Sequence, residues 1–153
     1  MSKEKIITYR IMTVNDYEAV YNLWMSCKNM GFNDKDDSYD GIKKLLNRNP
    51  NTCFVALCDN IIVGVILATN DGRRGFIHHM AVHDDYRRLG IAATLLQMAL
   101  KALKDEEGIN KVALVCFKYN EAGNAFWESQ GFTVRTDLNY RNKALTELIR
   151  IDT

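Results

Sequence analysis

The chain has 153 residues, 47% hydrophobic, 25% charged and 10% aromatic, which excludes a disordered tail, a collagen-like repeat and a low-complexity segment. Twenty Lys and Arg stand against nineteen Asp and Glu, a formal charge of +1. No bulk positive field is available to hold a polyanion, so nucleic acid is not an expected partner. The length fits one domain over residues 1–153 and hides roughly two-thirds of the unfolded surface.

Ile6 to Ile11 reads as a first strand, and Thr13 as a candidate cap for the next segment. Val14, Tyr17, Val20, Tyr21 and Trp24 recur at helical spacing, which predicts an amphipathic helix ending near Gly31. Asn33 to Asp40 is polar and acidic, a loop or helix start. A shorter helix carries Ile42, Leu45 and Leu46 and stops at Pro50, the single proline. Thr52 to Cys58 and Ile61 to Thr69 read as strands joined at Asp59-Asn60, a hairpin signal. Asp71-Gly72 marks the next turn, and Gly75 to Val82 is a third strand of the meander.

From Gly90 to about Glu107 the residues Ile91, Leu95, Leu96, Ala99, Leu100 and Leu103 form one helical stripe, closed by Gly108. Lys111 to Lys118 is nearly continuous and apolar, a strand expected to be buried on both faces. Ala122 to Ser129 is a short helix ended by Gly131, and Phe132 to Arg135 and Leu145 to Ile151 read as closing strands. An antiparallel start with one strand–helix–strand crossover makes a mixed α+β domain.

Cys27, Cys53, Cys58 and Cys116 include no closely spaced pair, and no His cluster completes a zinc pattern, so no metal is expected. They read as reduced thiols. Ile61 to Ala68, the longest aliphatic stretch, is too short to cross a bilayer, and Met1 to Arg10 lacks the pattern of an export signal. A cytoplasmic protein without a membrane partner is expected.

The most informative segment is Val82-His-Asp-Asp-Tyr-Arg-Arg-Leu-Gly-Ile-Ala-Ala-Thr94. Helix N-termini carry unpaired N–H groups and partial positive charge, so Arg87 and Arg88 stand at the wrong end, at a cost of some tenths of a kcal/mol each. A bound anion removes the conflict. Gly90, Ala92 and Ala93 are small enough for a phosphate to approach the backbone, and two guanidinium groups can flank it. The bland alternative is that both arginines are solvated and pair with Asp84 and Asp85. A P-loop and a dinucleotide fingerprint are both absent.

These residues resemble the GNAT superfamily of acyl-CoA-dependent N-acetyltransferases. Its motif Arg/Gln-x-x-Gly-x-Gly/Ala is matched by Arg87-Arg88-Leu89-Gly90-Ile91-Ala92, its fourth strand by Ile77 to Val82, and its late Asn-to-Gly-Phe segment by Asn120 to Phe132. The resemblance implies a central mixed sheet of about 6–7 strands flanked by about four helices. It also implies a V-shaped splay between the strands ending at Val82 and Lys118. Acetyl-CoA is expected there as co-substrate. Its pantetheine arm would pair with the backbone of Met80, Ala81 and Val82, and its diphosphate would sit on Leu89, Gly90, Ile91, Ala92 and Ala93. Asn120 takes the family's pantetheine-contacting position, a role compatible with capping a helix.

In the family an acceptor amine attacks the thioester directly, in a ternary complex. The backbone N–H near Met80 would serve the oxyanion. Phe76 stands where many relatives carry a Glu base, and His78 and His79 are the natural replacements. Neighbours on a strand point to opposite faces, so at most one is expected to face the cleft. His78 matches the histidine of the arylalkylamine acetyltransferases and is favoured as the base, with a water relay as the alternative. Trp127 stands where relatives commonly have a Tyr acid, and an indole cannot protonate a thiolate. Tyr119 and Tyr140 are candidate acids, and Trp127 packs on the pantetheine arm or on the core.

The acceptor is expected to be a small or peptidic amine. Asp34, Asp36, Asp37 and Asp40 either attract a cationic amine or form a solvated loop in which Asp37 or Ser38 caps the next helix. The function implied is acetyl transfer to a primary amine; the alternative is a catalytically silent acyl-CoA-binding sensor or scaffold. The oligomeric state is not readable from the sequence; dimers are frequent in the superfamily, and by that analogy alone the C-terminal strands could pair in a homodimer.

Overall fold

The structure, a computed structural model, describes residues 4–153; Met1–Lys3, the first part of the charged start of the chain, lie outside them. In chain order the elements are Ile7–Ile11 (β1), Tyr17–Ser26 (α1), Gly31–Asn33 (β2), Tyr39–Arg48 (α2), Phe54–Cys58 (β3) and Ile61–Asn70 (β4), followed by Gly75–Val82 (β5), Ile91–Asp105 (α3), Val112–Leu114 (β6), Glu121–Ser129 (α4) and Arg150–Asp152 (β7).

Asp59 and Asn60 both take left-handed backbone angles, φ 50° and 65°, the geometry of a tight hairpin turn. That turn folds β4 back on β3 and starts a five-stranded sheet of order β1-β3-β4-β5-β6. The first four strands run antiparallel, and β6 joins parallel to β5 after the α3 crossover. The mixed architecture is thus the expected one.

Both faces of the sheet are covered, which is why β3 is buried at every position. Val55, Leu57, Val65, Leu67 and Ala81 pack under α1 and α2 with Val20, Leu23, Trp24, Ile42 and Leu46. On the other face Phe54, Ala56, Ile66, Ala68 and Ile77 meet the α3 stripe of Ile91, Leu95, Leu96, Ala99 and Leu103. Burial of each large aliphatic side chain contributes about 1.5–3 kcal/mol, so the two clusters fix the sheet between its helices. Gly64 sets the spacing on the α3 side: a Cβ there would come within 2.9 Å of Ile91 Cγ2 and 3.1 Å of Leu95 Cδ1.

Three expectations are corrected. Lys111 to Lys118 is not a strand buried on both faces: only Val112–Leu114 is a strand, partly exposed, and Val115 is 55% exposed. It is an edge strand, hydrogen-bonded to β5 on one side. Phe132 to Arg135 forms no strand, and of Leu145 to Ile151 only the end enters one, as part of Arg150–Asp152. A strand persists where its backbone finds a partner, and here the partner is Gly31–Asn33, where the first helix was expected to end. Asp34 secures that pairing: its N–H donates to the Ile149 carbonyl at 3.0 Å, and its carboxylate accepts the Ile149 N–H at 2.7 Å.

No described helix is long and apolar enough to cross a membrane. All four cysteines are free thiols.

Candidate functional site

The start of α3 is built from unusual backbone. Arg88 and Gly90 both adopt left-handed angles, φ 63° and 75°, and for Arg88 this costs about 1–2 kcal/mol. The first intrahelical bond runs from Thr94 N–H to Gly90 C=O at 3.0 Å, leaving the N–H groups of Ile91, Ala92 and Ala93 without helical partners. The first turn holds no acidic side chain, and no side chain caps it. A Cβ on Gly90 would meet nothing within 4 Å, so the approach to these N–H groups is open. Arg87 reaches back to Asp84 at 3.0 Å, as the bland alternative expects, with both side chains more than half exposed. Arg88 makes no ion pair among the described residues. The result is a cluster of donors with one free cation, suited to a di-anion such as a diphosphate.

Beside it the sheet splays. β6 pairs with β5 only at Gly75, Phe76 and Ile77, so His78 to Val82 offer an edge to which β6 does not bond. Within that stretch β5 bulges: Leu67 pairs with His78 and Val65 with Ala81, so His79 and Met80 together oppose Ile66. His79 takes φ 48°.

The bulge overturns the expectation that adjacent histidines take opposite faces. His78 pairs with Leu67, which lies in the α1–α2 core, and its ring stands 4.6 Å from that of Phe76 on the same face. The His79 ring packs against Trp24 and Phe32 of that same core, at 5.2 Å and 4.6 Å. One inserted residue turns His79 to the side that alternation assigns to His78. Burial, with help from the neighbouring His79 charge, pushes His78 down to about 4, so its imidazole is neutral near pH 7 and a weak proton acceptor. His79 instead contacts a carboxylate, with Nε2 2.7 Å from Asp37 Oδ1.

Asp37 belongs to the acidic loop, which is largely consumed by structure. Its second oxygen accepts the Asn33 N–H at 2.8 Å. Asp34 ties down the C-terminal segment, and Asp36 accepts from the Asn33 amide at 2.8 Å. Ser38 caps α2, its hydroxyl accepting the Gly41 N–H at 3.1 Å. Of the two expected caps it is therefore Ser38, and not Asp37, that caps α2.

Asn120 caps α4, its side-chain oxygen accepting the Gly123 N–H at 2.9 Å. Trp127 sets its ring edge-on to Phe126 and Phe132, at 5.1 Å and 5.3 Å, and packs on the α3 side of the sheet. Tyr119 is 63% exposed and stacks on Phe117, and Tyr140 is 69% exposed in the segment between α4 and β7. Sequence reasoning missed Asp37 as a histidine partner, and Trp24 and Phe32 as the walls of that ring. No periodicity or motif signals contacts made across 42 and 55 residues of chain.

The sequence profile of the acetyltransferase (GNAT) family matches residues 17–132. An acetyltransferase of Pectobacterium atrosepticum is 33% identical over 120 residues, 78% of this chain and 82% of that protein. Among solved structures, Ard1 from Thermoplasma volcanium superposes with TM-score 0.72 at 24% identity, covering 84% of each chain. The paiA N-acetyltransferase from Thermoplasma acidophilum, solved in complex with coenzyme A, gives TM-score 0.70 at 18% identity over 85% of this chain and 91% of that one.

Proposed function

The chain belongs to the GNAT acetyltransferase family, and from that premise we propose that it transfers the acetyl group of acetyl-CoA to a primary amine, small or peptidic, by direct attack in a ternary complex. The observation that carries this is the α3 start, where free N–H groups, a left-handed glycine and Arg88, which has no ion pair among the described residues, meet a first helical turn that holds no carboxylate. In this reading Leu89 to Ala93 receive the diphosphate, with Arg87 and Arg88 beside it. The β5 edge at Met80, Ala81 and Val82 receives the pantetheine arm as an added strand. The Met80 N–H, in the bulge, stabilises the oxyanion of the tetrahedral intermediate. Asn120 and Trp127 line the pantetheine path. The free thiols fit action in the cytoplasm.

The test is thermal unfolding with acetyl-CoA against a matched ADP control. At about a hundred times the dissociation constant, binding adds roughly 2.7 kcal/mol, which raises the midpoint by on the order of 5–10 °C. Thiol release is then screened with an alanine-initiated peptide, a lysine-bearing peptide, spermidine and an aminoglycoside. No shift at millimolar acetyl-CoA overturns the proposal. A shift without thiol release from any amine selects the silent acyl-CoA-binding module instead.

A further inference from the structure

We infer that Asp37 and His79 form a proton-transfer dyad, with His79 as the catalytic base and Asp37 as its positioning residue; this rests on the acetyl-transfer reading above. Asp37 is held from several sides. Its side chain is 9% exposed, Oδ2 accepts the Asn33 N–H at 2.8 Å, and its carbonyl accepts the Tyr17 hydroxyl at 2.7 Å. Oδ1 faces His79 Nε2 at 2.7 Å. The imidazole is clamped between Trp24 and Phe32, while the indole Nε1–H donates to the His79 carbonyl at 3.0 Å. Ring, backbone and carboxylate are thus all held by two elements, α1 and β2.

A carboxylate on Nε2 keeps the neutral imidazole's proton on that nitrogen and leaves the Nδ1 lone pair free. Nδ1 makes no hydrogen bond among the described residues and is not closed off from solvent. The titratable groups facing the ring are Asp37, from the loop before α2, and His78 from its own strand; α1 presents Trp24 and β2 presents Phe32. His79 sits beyond Ile77, the last β5 residue bonded to β6, where the splay has opened. Its left-handed φ of 48° is a strain that persists because its surroundings over-determine it.

The step balances with one proton. The amine lone pair forms a C–N bond to the thioester carbon, and the C–S bond breaks as the tetrahedral intermediate collapses. The N–H proton passes to His79 Nδ1, and the imidazolium is held by the Asp37 carboxylate. That proton is then delivered to the departing sulfur, so amine and acetyl thioester become amide and thiol with His79 neutral again. One group thereby supplies both the base missing at Phe76 and the acid missing at Trp127.

The experiment uses the full chain with acetyl-CoA and the fastest amine of the panel, or water where none is accepted. His79→Asn, which tolerates a left-handed backbone, is expected to lower kcat by about 10²–10³-fold with the acetyl-CoA thermal shift retained. Asp37→Asn is expected to lower kcat by about tenfold or more with KM little changed. ¹⁵N NMR of the wild-type imidazoles, at a pH where they are neutral, is expected to show the His79 proton on Nε2, a preference weakened by Asp37→Asn. The dyad is overturned if the folded His79 variant turns over at the wild-type rate, or if the wild-type ring carries its proton on Nδ1. Absence of the acetyl-CoA shift in the wild type is the separate signature by which the acetyl-transfer reading itself fails.

Discussion

Trp24, with no exposed surface, donates its indole N–H to the backbone carbonyl of His79 at 3.0 Å. A core residue of the first helix thus holds the one inserted residue of β5. The contact links packing to function, because the bulge decides which imidazole meets Asp37. Trp24→Phe removes the donor and leaves a gap, and is expected to destabilise the fold by about 2–3 kcal/mol. Urea denaturation measures this, and a loss below about 1 kcal/mol would mean that the bulge holds without the indole.

Gly64 lets α3 lie close on the sheet, since a methyl there would stand 2.9 Å from Ile91 and 3.3 Å from the Ala56 Cβ. Ile91 is the first residue of α3, so pressure at Gly64 acts directly on the helix start proposed to receive the diphosphate. Gly64→Ala is expected to cost about 1–3 kcal/mol by overpacking and to weaken acetyl-CoA binding as the helix start shifts. Calorimetry of acetyl-CoA binding to the variant checks the second part; wild-type affinity would show that the helix start does not follow its packing.

Gly90 is required by conformation. A side chain there has room but must adopt φ 75°, so Gly90→Ala is expected to lose about 1–2 kcal/mol of stability. Gly90→Val adds bulk over the free N–H groups and is expected to reduce acetyl-CoA affinity by more than tenfold. Titration with acetyl-CoA decides it, and unchanged affinity in a folded Gly90→Val variant would remove the α3 start as the anchor.

His78 makes stability fall in acid. Its folded value of about 4 lies below the ordinary 6.5. Above 6.5 the ring is neutral in both states and the stability is complete. Between 6.5 and 4 the unfolded chain takes the proton first, so stability drops as the pH falls through that window. The shift corresponds to at most about 3 kcal/mol at 1.36 kcal/mol per unit, and residual solvent contact brings it to about 2 kcal/mol. The wild-type difference between pH 7 and pH 4.5, minus that of His78→Gln, isolates the contribution. Equal acid sensitivity in both proteins would mean that His78 titrates normally.

Much of the path to the site was legible because it is written in short-range signals. Arg87 to Ala92 reads as an anion-binding helix start because Gly90 and the small residues after it are neighbours in sequence. The structure adds the left-handed Arg88 and the absence of acid in the first turn. The contact between His79 and Asp37 was not legible. Alternation makes His78 and His79 exclusive, and nothing local announces the bulge that places both on one face. Asp37 reads as one acid among several; its selection depends on β2 and α1 bringing the loop over β5.

By itself the sequence determined the order of helices and strands through the sheet, the Asp59-Asn60 turn, the apolar stripe of α3 and the donor-rich motif at its start. Each depends on residues within about one helical turn or one hairpin of each other, where steric preference and periodicity act directly. Only the tertiary structure decided that Arg150–Asp152 pairs with Gly31–Asn33, that β6 parts from β5 after Ile77, and that His79 rather than His78 meets Asp37. Those relationships join segments far apart in the chain. They are set by which hydrogen-bonding edges and core surfaces find one another when the whole chain packs.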